Sequence, residues 1–183
     1  MPIEINLLKL VCSQLDAHGI PYMLTGSFAS NFYAVPRMTR DIDIVIALQM
    51  KESEKIFQIF HKDFYIDKNS IDHAIKYQSM FNIIHNEYAF KIDFIVRKDD
   101  AYRLVEFNRK KKFTLDDTFL WIVSPEDLII SKLYWAKDSL SEIQMKDIKN
   151  LLMTLDQLDH EYINEWVNKL NLETLYEKVG AHA

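Results

Sequence analysis

A chain of 183 residues with 49% hydrophobic and 13% aromatic content can bury one full core and a small appended bundle. Its formal charge of −5 argues against a general nucleic-acid coat, while leaving room for a local basic patch. Cys12 stands alone, which excludes an intramolecular disulfide and suits a reducing compartment.

Apolar periodicity predicts a helix over 5–18, with Cys12 on the Leu7, Leu8, Val11, Leu15 face as a core thiol. A short strand over 22–25 runs into Gly26, and a helix over 27–34 follows. A strand over 42–47, a helix over 51–61, a short strand near 64–66 and a helix over 70–77 come next. Strands over 80–85 and 89–96, a helix over 99–109 and a strand or pair of strands within 111–123 complete this part. From Pro125 onward the pattern is helical, over 125–137, 141–155, 160–169 and 172–179. The class expected is α+β: a mixed sheet flanked by helices over residues 1–123, with a C-terminal helical bundle over 124–183 packed on it. No apolar stretch approaches the ~20 residues that span a bilayer. The N-terminus carries Glu4 and no basic leader, so a soluble cytoplasmic protein with no membrane partner is expected.

The chemistry-bearing residues follow from strand geometry. Gly26 ends a strand and lets the backbone come close to a ligand, because it has no Cβ. The helix that follows leaves amide N–H groups unpaired at the positive end of its dipole, which suits a phosphate, and Ser27 adds a hydroxyl. In Asp41-Ile42-Asp43-Ile44-Val45-Ile46, alternation puts both carboxylates on one face and the three isoleucines on the other. Same-face neighbours lie roughly 7 Å apart, so both acids can converge on a hard cation such as Mg²⁺, or Mn²⁺ in its place. Asp93, within Phe90-Lys91-Ile92-Asp93-Phe94-Ile95-Val96, adds a third carboxylate if the two strands pair. Three carboxylates around two cations about 3.5–4 Å apart are the arrangement used for in-line nucleotidyl displacement.

Each feature also has a plainer reading. An Asp-x-Asp strand can be a solvated edge, Gly-Ser a turn and helix cap, and Asp93 an outward polar residue. Lys132 can snorkel from an apolar helix, and Lys146 and Asp147 can form a solvated helix face. The Arg109-Lys110-Lys111-Lys112 run, with Arg103 nearby, can steer RNA or simply end a strand. Arg37 and Arg40 can meet phosphates or an acceptor, and Arg40 can offset the two acids. Trp135 can stack on a nucleobase or pack between helices. The six histidines show no metal-ligand spacing.

Taken in order, Gly26-Ser27, Asp41-x-Asp43 and Lys91-Ile92-Asp93 resemble the nucleotidyltransferase superfamily of DNA polymerase β and the minimal bacterial nucleotidyltransferases. More narrowly, the stretch from Ser124-Pro125-Glu126-Asp127 to Ser131-Lys132-Leu133, with Lys146-Asp147 after it, is similar to the AbiEii/MenT-type toxins. The resemblance spans roughly residues 18–155. It implies that Gly26 and Ser27 hold a nucleoside triphosphate, ATP among the choices, and that Asp41 and Asp43 bind Mg²⁺. Asp93 would complete the metal site or accept the proton of the attacking hydroxyl. Lys132 would contact the phosphates, Lys91 is a further phosphate candidate, and Asp147 would match the late acid of the toxins. Gln144 stands where the toxins often have arginine, and Asn150 where a further acid is common.

The activity implied is Mg²⁺-dependent transfer of a nucleoside monophosphate from an NTP to a hydroxyl, with pyrophosphate released. RNA or tRNA, a protein or a small molecule such as an aminoglycoside are the acceptors open to it, and an antitoxin is a candidate partner. A non-catalytic nucleotide- or RNA-binding module with a partner-docking helical tail is the rival expectation.

Overall fold

A computed structural model of the chain describes residues 3–139 and 141–180; the end of the C-terminal region, 181–183, lies outside them. Seven strands, β1 (Tyr22–Thr25), β2 (Asp41–Ile46), β3 (Phe64–Tyr65), β4 (Met80–His85), β5 (Lys91–Val96), β6 (Lys111–Leu115) and β7 (Thr118–Ile122), form one sheet. Their order is β3-β4-β5-β2-β1-β7-β6. β2 with β5 and β1 with β7 run parallel, and the other neighbours are antiparallel. The helices among the described residues are α1 (Ile3–Ala17), α2 (Gly26–Tyr33), α3 (Ser53–Phe60), α4 (Lys68–Tyr77), α5 (Ala101–Asn108), α6 (Pro125–Ser139), α7 (Glu142–Thr154), α8 (His160–Lys169) and α9 (Glu173–Gly180). No helix among these residues is long and apolar enough to cross a membrane.

Strand alternation sorts the sheet into two faces. Ile42, Ile44 and Ile46 pair with Ile92, Phe94 and Val96 of β5, and all six are buried. Tyr22 and Leu24, opposite Ile46 and Ile44, share this apolar face. Phe60 of α3 meets Phe94 at 5.7 Å between ring centroids, and Tyr22 donates its hydroxyl to Asp16 of α1 at 3.2 Å. The apolar face therefore lies against α1 and α3. The opposite face carries Asp41, Asp43 and Asp93, and α2 packs over it while also touching α6 and α7.

Local chemistry sets the element ends. Asp67, Asp100 and Asp159 cap α4, α5 and α8 by accepting from the amides of Ser70, Arg103 and Tyr162 at 2.8, 3.0 and 2.9 Å. The helix expected at 70 therefore begins at 68. β5 begins at Lys91 rather than at 89, because Ala89 takes φ +51° in the turn before it. Asp116, also at φ +51°, divides the 111–123 segment into the hairpin β6–β7. The helix expected over 51–61 opens as a short 3₁₀ turn at Met50–Glu52, where Gln49 and Glu52 form a reciprocal cap.

The start of α6 holds a buried polar knot. The Ser124 hydroxyl accepts from the Asp127 amide at 3.1 Å and donates to the Asp127 carboxylate at 2.6 Å. Asp127, with no exposure, also accepts from Arg109 Nε at 3.0 Å and from the Tyr162 hydroxyl at 2.6 Å. The Arg109 guanidinium lies 3.8 Å from the Tyr162 ring centroid, so one carboxylate ties α6 to α8 and to the end of α5. Arg109 is thus a structural cation, and Lys110 packs its ammonium over the Phe107 ring at 4.1 Å. Removing one member of a buried pair leaves the other charge uncompensated, so Asp127→Ala should cost about 3–5 kcal/mol in urea unfolding. Tyr162→Phe, which deletes one hydrogen bond, should cost about 1 kcal/mol. Equal costs for the two would show that the carboxylate does not centre the knot.

Candidate active site

The site lies where β1, β2 and β5 present their polar face. Thr25 pairs with Asp43 across β1 and β2, and Asp43 pairs with Asp93 across β2 and β5. Asp41 is the partner of Lys91 in the same register. The β1–α2 turn follows at Gly26, with φ +66° and with a Cβ position that would fall 2.0 Å from Asp43 Oδ2. The Asp43 carboxylate therefore occupies the space that any other side chain at 26 would need. No side chain caps the start of α2, so the first turn of that helix keeps amides for a ligand.

The carboxylates differ in their surroundings. Asp93 is 4% exposed, and its Oδ1 is buried with no hydrogen-bond partner. Its Oδ2 accepts from Lys91 Nζ at 2.6 Å, and the same ammonium lies 3.6 Å from Asp41 Oδ2. Asp41 also accepts from the Thr39 hydroxyl at 3.3 Å. Burial, then repulsion from Asp41 and Asp93, pushes the Asp43 carboxyl up to about 6. The hydrogen bond to Asp93 raises Lys91 above the ordinary lysine range, which keeps it charged.

A second group of charges faces these acids from the helices. Lys132 of α6 has no exposure and donates to Asp147 Oδ2 at 2.9 Å and Gln144 Oε1 at 3.0 Å. Arg37 meets the same carboxylate from the α2–β2 loop, with Nε 2.8 Å from Oδ1, and donates to the Ser27 hydroxyl at 2.5 Å. Burial lowers Lys132, and Asp147 works against it. Burial would raise Asp147, but Arg37 and Lys132 together hold it below the usual carboxylate range. Lys132 does not snorkel, and Asp147 is not a solvated residue; the two are buried on facing helices. Arg40 is exposed, as is Lys146.

The nine residues read as site candidates, Gly26, Ser27, Arg37, Asp41, Asp43, Lys91, Asp93, Lys132 and Asp147, lie in this one connected region. Glu106 was missed, Arg103 was read only beside the basic run and Ser131 only within the toxin-like stretch: Arg103 Nη1 lies 2.8 Å from Glu106 Oε2, and the buried Ser131 hydroxyl donates to Glu106 Oε1 at 2.5 Å. No motif marks Glu106, although Arg103 and Glu106 are spaced i,i+3 on one helix. Gln144 was read only as a departure, yet it sits three residues before Asp147 and shares its hold on Lys132.

A cavity of about 610 Å³ opens beside Asp43. Val45 and Ile95 line it next to the acids, and Tyr134, Trp135 and Gln144 line it from α6 and α7. Arg97, Lys98, Arg103 and Glu106 supply its other charges. The site thus joins a helix start and two buried or half-buried cations to a partly aromatic cavity that reaches Asp43.

Several solved structures share this architecture. The antibiotic-resistance factor ANT(2'')-Ia in solution matches with a TM-score of 0.61 at 14% identity, over 98% of this chain and 97% of that one. An antigenic nucleotidyltransferase-like protein from Paracoccidioides brasiliensis matches at 0.59 and 13% identity, over 94% and 89%. The lincosamide antibiotic adenylyltransferase LnuA, with lincomycin bound, matches at 0.57 and 18% identity, over 81% and 96%. No protein-family model and no curated protein matches the sequence. At such identities the likeness is one of architecture: the chain has the nucleotidyltransferase fold, a mixed α+β sheet with helices on its faces and a helical bundle at its C-terminal end.

Proposed function

We propose that this chain is a Mg²⁺-dependent nucleotidyltransferase that moves a nucleoside monophosphate from an NTP to an acceptor hydroxyl. The observation that carries this reading is the alignment of Thr25, Asp43 and Asp93 across three adjacent strands, with Gly26 packed against Asp43 in the turn that follows and a buried carboxylate oxygen of Asp93 lacking any partner. An orphaned anionic oxygen beside two further carboxylates fits a site for a hard cation. Asp41 and Asp43 would hold Mg²⁺, which when bound supplies Lewis-acid stabilisation of charge on the phosphates. The α2 amides at Gly26 and Ser27, with Arg37 and Lys132 behind them, supply the positive field for the triphosphate. The acceptor oxygen bonds to the α-phosphorus as the bond to the β-phosphate bridging oxygen breaks, and pyrophosphate leaves with the electron pair. Asp93 completes the metal set or receives the hydroxyl proton. Residues 1–123 would form the catalytic core, and the helices from 124 onward would deliver Lys132 and Asp147 to it.

The cavity narrows the acceptor. Among the described residues, its carboxylates are Asp43 and Glu106, and Glu106 is already engaged by Arg103 and Ser131. No carboxylate is left for the ammonium groups of an aminoglycoside, which counts against that reading. Arg97, Lys98 and the aromatic rings suit an acceptor that carries phosphate and a flat base, as an RNA or tRNA 3′ end does. Structural neighbours that adenylylate antibiotics support nucleotidyl transfer as the reaction class. A toxin role, with an antitoxin as partner, rests on the Lys132 and Asp147 resemblance together with their placement in the site.

Incubating the protein with each labelled NTP, Mg²⁺ and total RNA should label RNA, and Asp41→Ala should reduce labelling by at least ~100-fold, as expected when a metal ligand is lost. Tight NTP binding without pyrophosphate release on RNA or small-molecule acceptors would favour the non-catalytic module. Induced expression in bacteria should arrest growth with the wild-type chain and not with Asp41→Ala, and normal growth with soluble wild type would remove the toxin role.

Asp43 makes a pH prediction. Its carboxyl moves from an ordinary 3.8 to about 6 in the folded chain. Between those values the folded chain keeps a proton that the unfolded chain has released. Stability of the metal-free protein should therefore fall as pH rises through this window and then level off. Mg²⁺ affinity should rise over the same window, because the cation takes the deprotonated carboxylate. Urea unfolding in EDTA across this range reads the first effect, and Asp43→Asn should remove most of the slope. An unchanged slope in that variant would assign the effect to another group.

A further inference from the structure

Nucleotidyl transfer calls for positive charge at two places, against the triphosphate and beside the acceptor hydroxyl as its proton leaves. Lys91 stands between two of the acids. It is the register partner of Asp41 and lies two residues before Asp93, so its side chain shares the acid face. Its ammonium bridges the two strands, 2.6 Å from Asp93 Oδ2 and 3.6 Å from Asp41 Oδ2. This is the position that a cation shared by Asp41 and Asp93 would take. Among the described residues, no three His, Cys, Asp or Glu side chains stand ready as a metal cage. Two members of the carboxylate trio, Asp41 and Asp93, are matched by the lysine instead, while Asp93 Oδ1 stays buried and without a partner.

We propose that Lys91 takes the place of a second divalent ion: the site holds one, on Asp41 and Asp43, with the Lys91 ammonium beside the acceptor and Asp93 as its base. This rests on the nucleotidyltransferase reading above. As the acceptor oxygen bonds to the α-phosphorus, its proton passes to the Asp93 carboxylate, and the bond to the bridging oxygen breaks to release pyrophosphate. Lys91 gives up no proton; its charge stabilises the oxygen as negative charge develops there. The arrangement also explains the choice of a cation on this strand face, where a neutral side chain would leave three acids to repel one another.

The test counts ions. Mn²⁺ titration of the full chain, followed by electron paramagnetic resonance, is run with α,β-methylene analogues of each NTP, which cannot be cleaved. One Mn²⁺ per chain is expected for wild type and for Lys91→Arg. Two are expected for Lys91→Met, with the second giving the signature of a spin-coupled pair. Thermal melting of each variant confirms folding, which a half-exposed strand position should tolerate. Two ions in wild type, or one ion in folded Lys91→Met, would overturn the proposal. No bound ion in any nucleotide complex would overturn both this proposal and the metal site beneath it. Wild-type protein that binds one ion yet transfers nothing would uphold the single-ion site and remove the transferase reading, so the two fail separately.

Discussion

The in-register parallel pairing of β2 with β5 is the constraint on which the site depends. It places Asp43 beside Asp93 and Asp41 beside Lys91, and it does so because six apolar residues on the opposite face fix the register. A slip of one residue would turn Ile42, Ile44 and Ile46 toward the acids' side and bury carboxylates in the core. The acid-bearing face therefore owes its alignment to packing on the face behind it, where Phe60 and Phe94 meet. Thr25 extends the same line into β1, and Gly26, next in the chain, leaves its bare Cα where the Asp43 side chain fills the volume.

Charge is distributed to match. Three acids gathered on one sheet face would repel one another, and the chain offsets this with Lys91 from the sheet and Lys132 from α6. Lys132 is in turn held by Asp147, which also takes Arg37 from the loop before β2. One buried carboxylate on α7 thereby fixes two cations and, through Arg37, the Ser27 hydroxyl. Burial first, and then the neighbouring Asp41 and Asp93, still raise the Asp43 carboxyl.

A second carboxylate plays a different part. Asp127 is as buried as Lys132 but faces the start of α6, where it collects Ser124, Arg109 and Tyr162. The Ser124 to Leu133 stretch therefore carries two kinds of residue in one motif. Its first half anchors the helix, and its second half sends Lys132 toward the acids.

Much of this was legible in order along the chain. Strand alternation put Asp41 and Asp43 on one face, Gly26 marked the close turn, and the helical periodicity after Pro125 set out the C-terminal helices, because these depend on neighbours within a few residues. Turn positions were less visible, since Ala89 and Asp116 adopt left-handed backbone that their residue types do not announce. What tertiary structure alone decided is which charges face each other. Arg109 sat in a basic run and turned inward to Asp127, Lys132 lay on an apolar helix and found Asp147, and Lys91 came to rest between Asp41 and Asp93. Lys91 with Asp93 apart, those pairings join residues distant in sequence. A buried charge is tolerated only where a partner reaches it, and the packing of strands and helices determines which partner arrives.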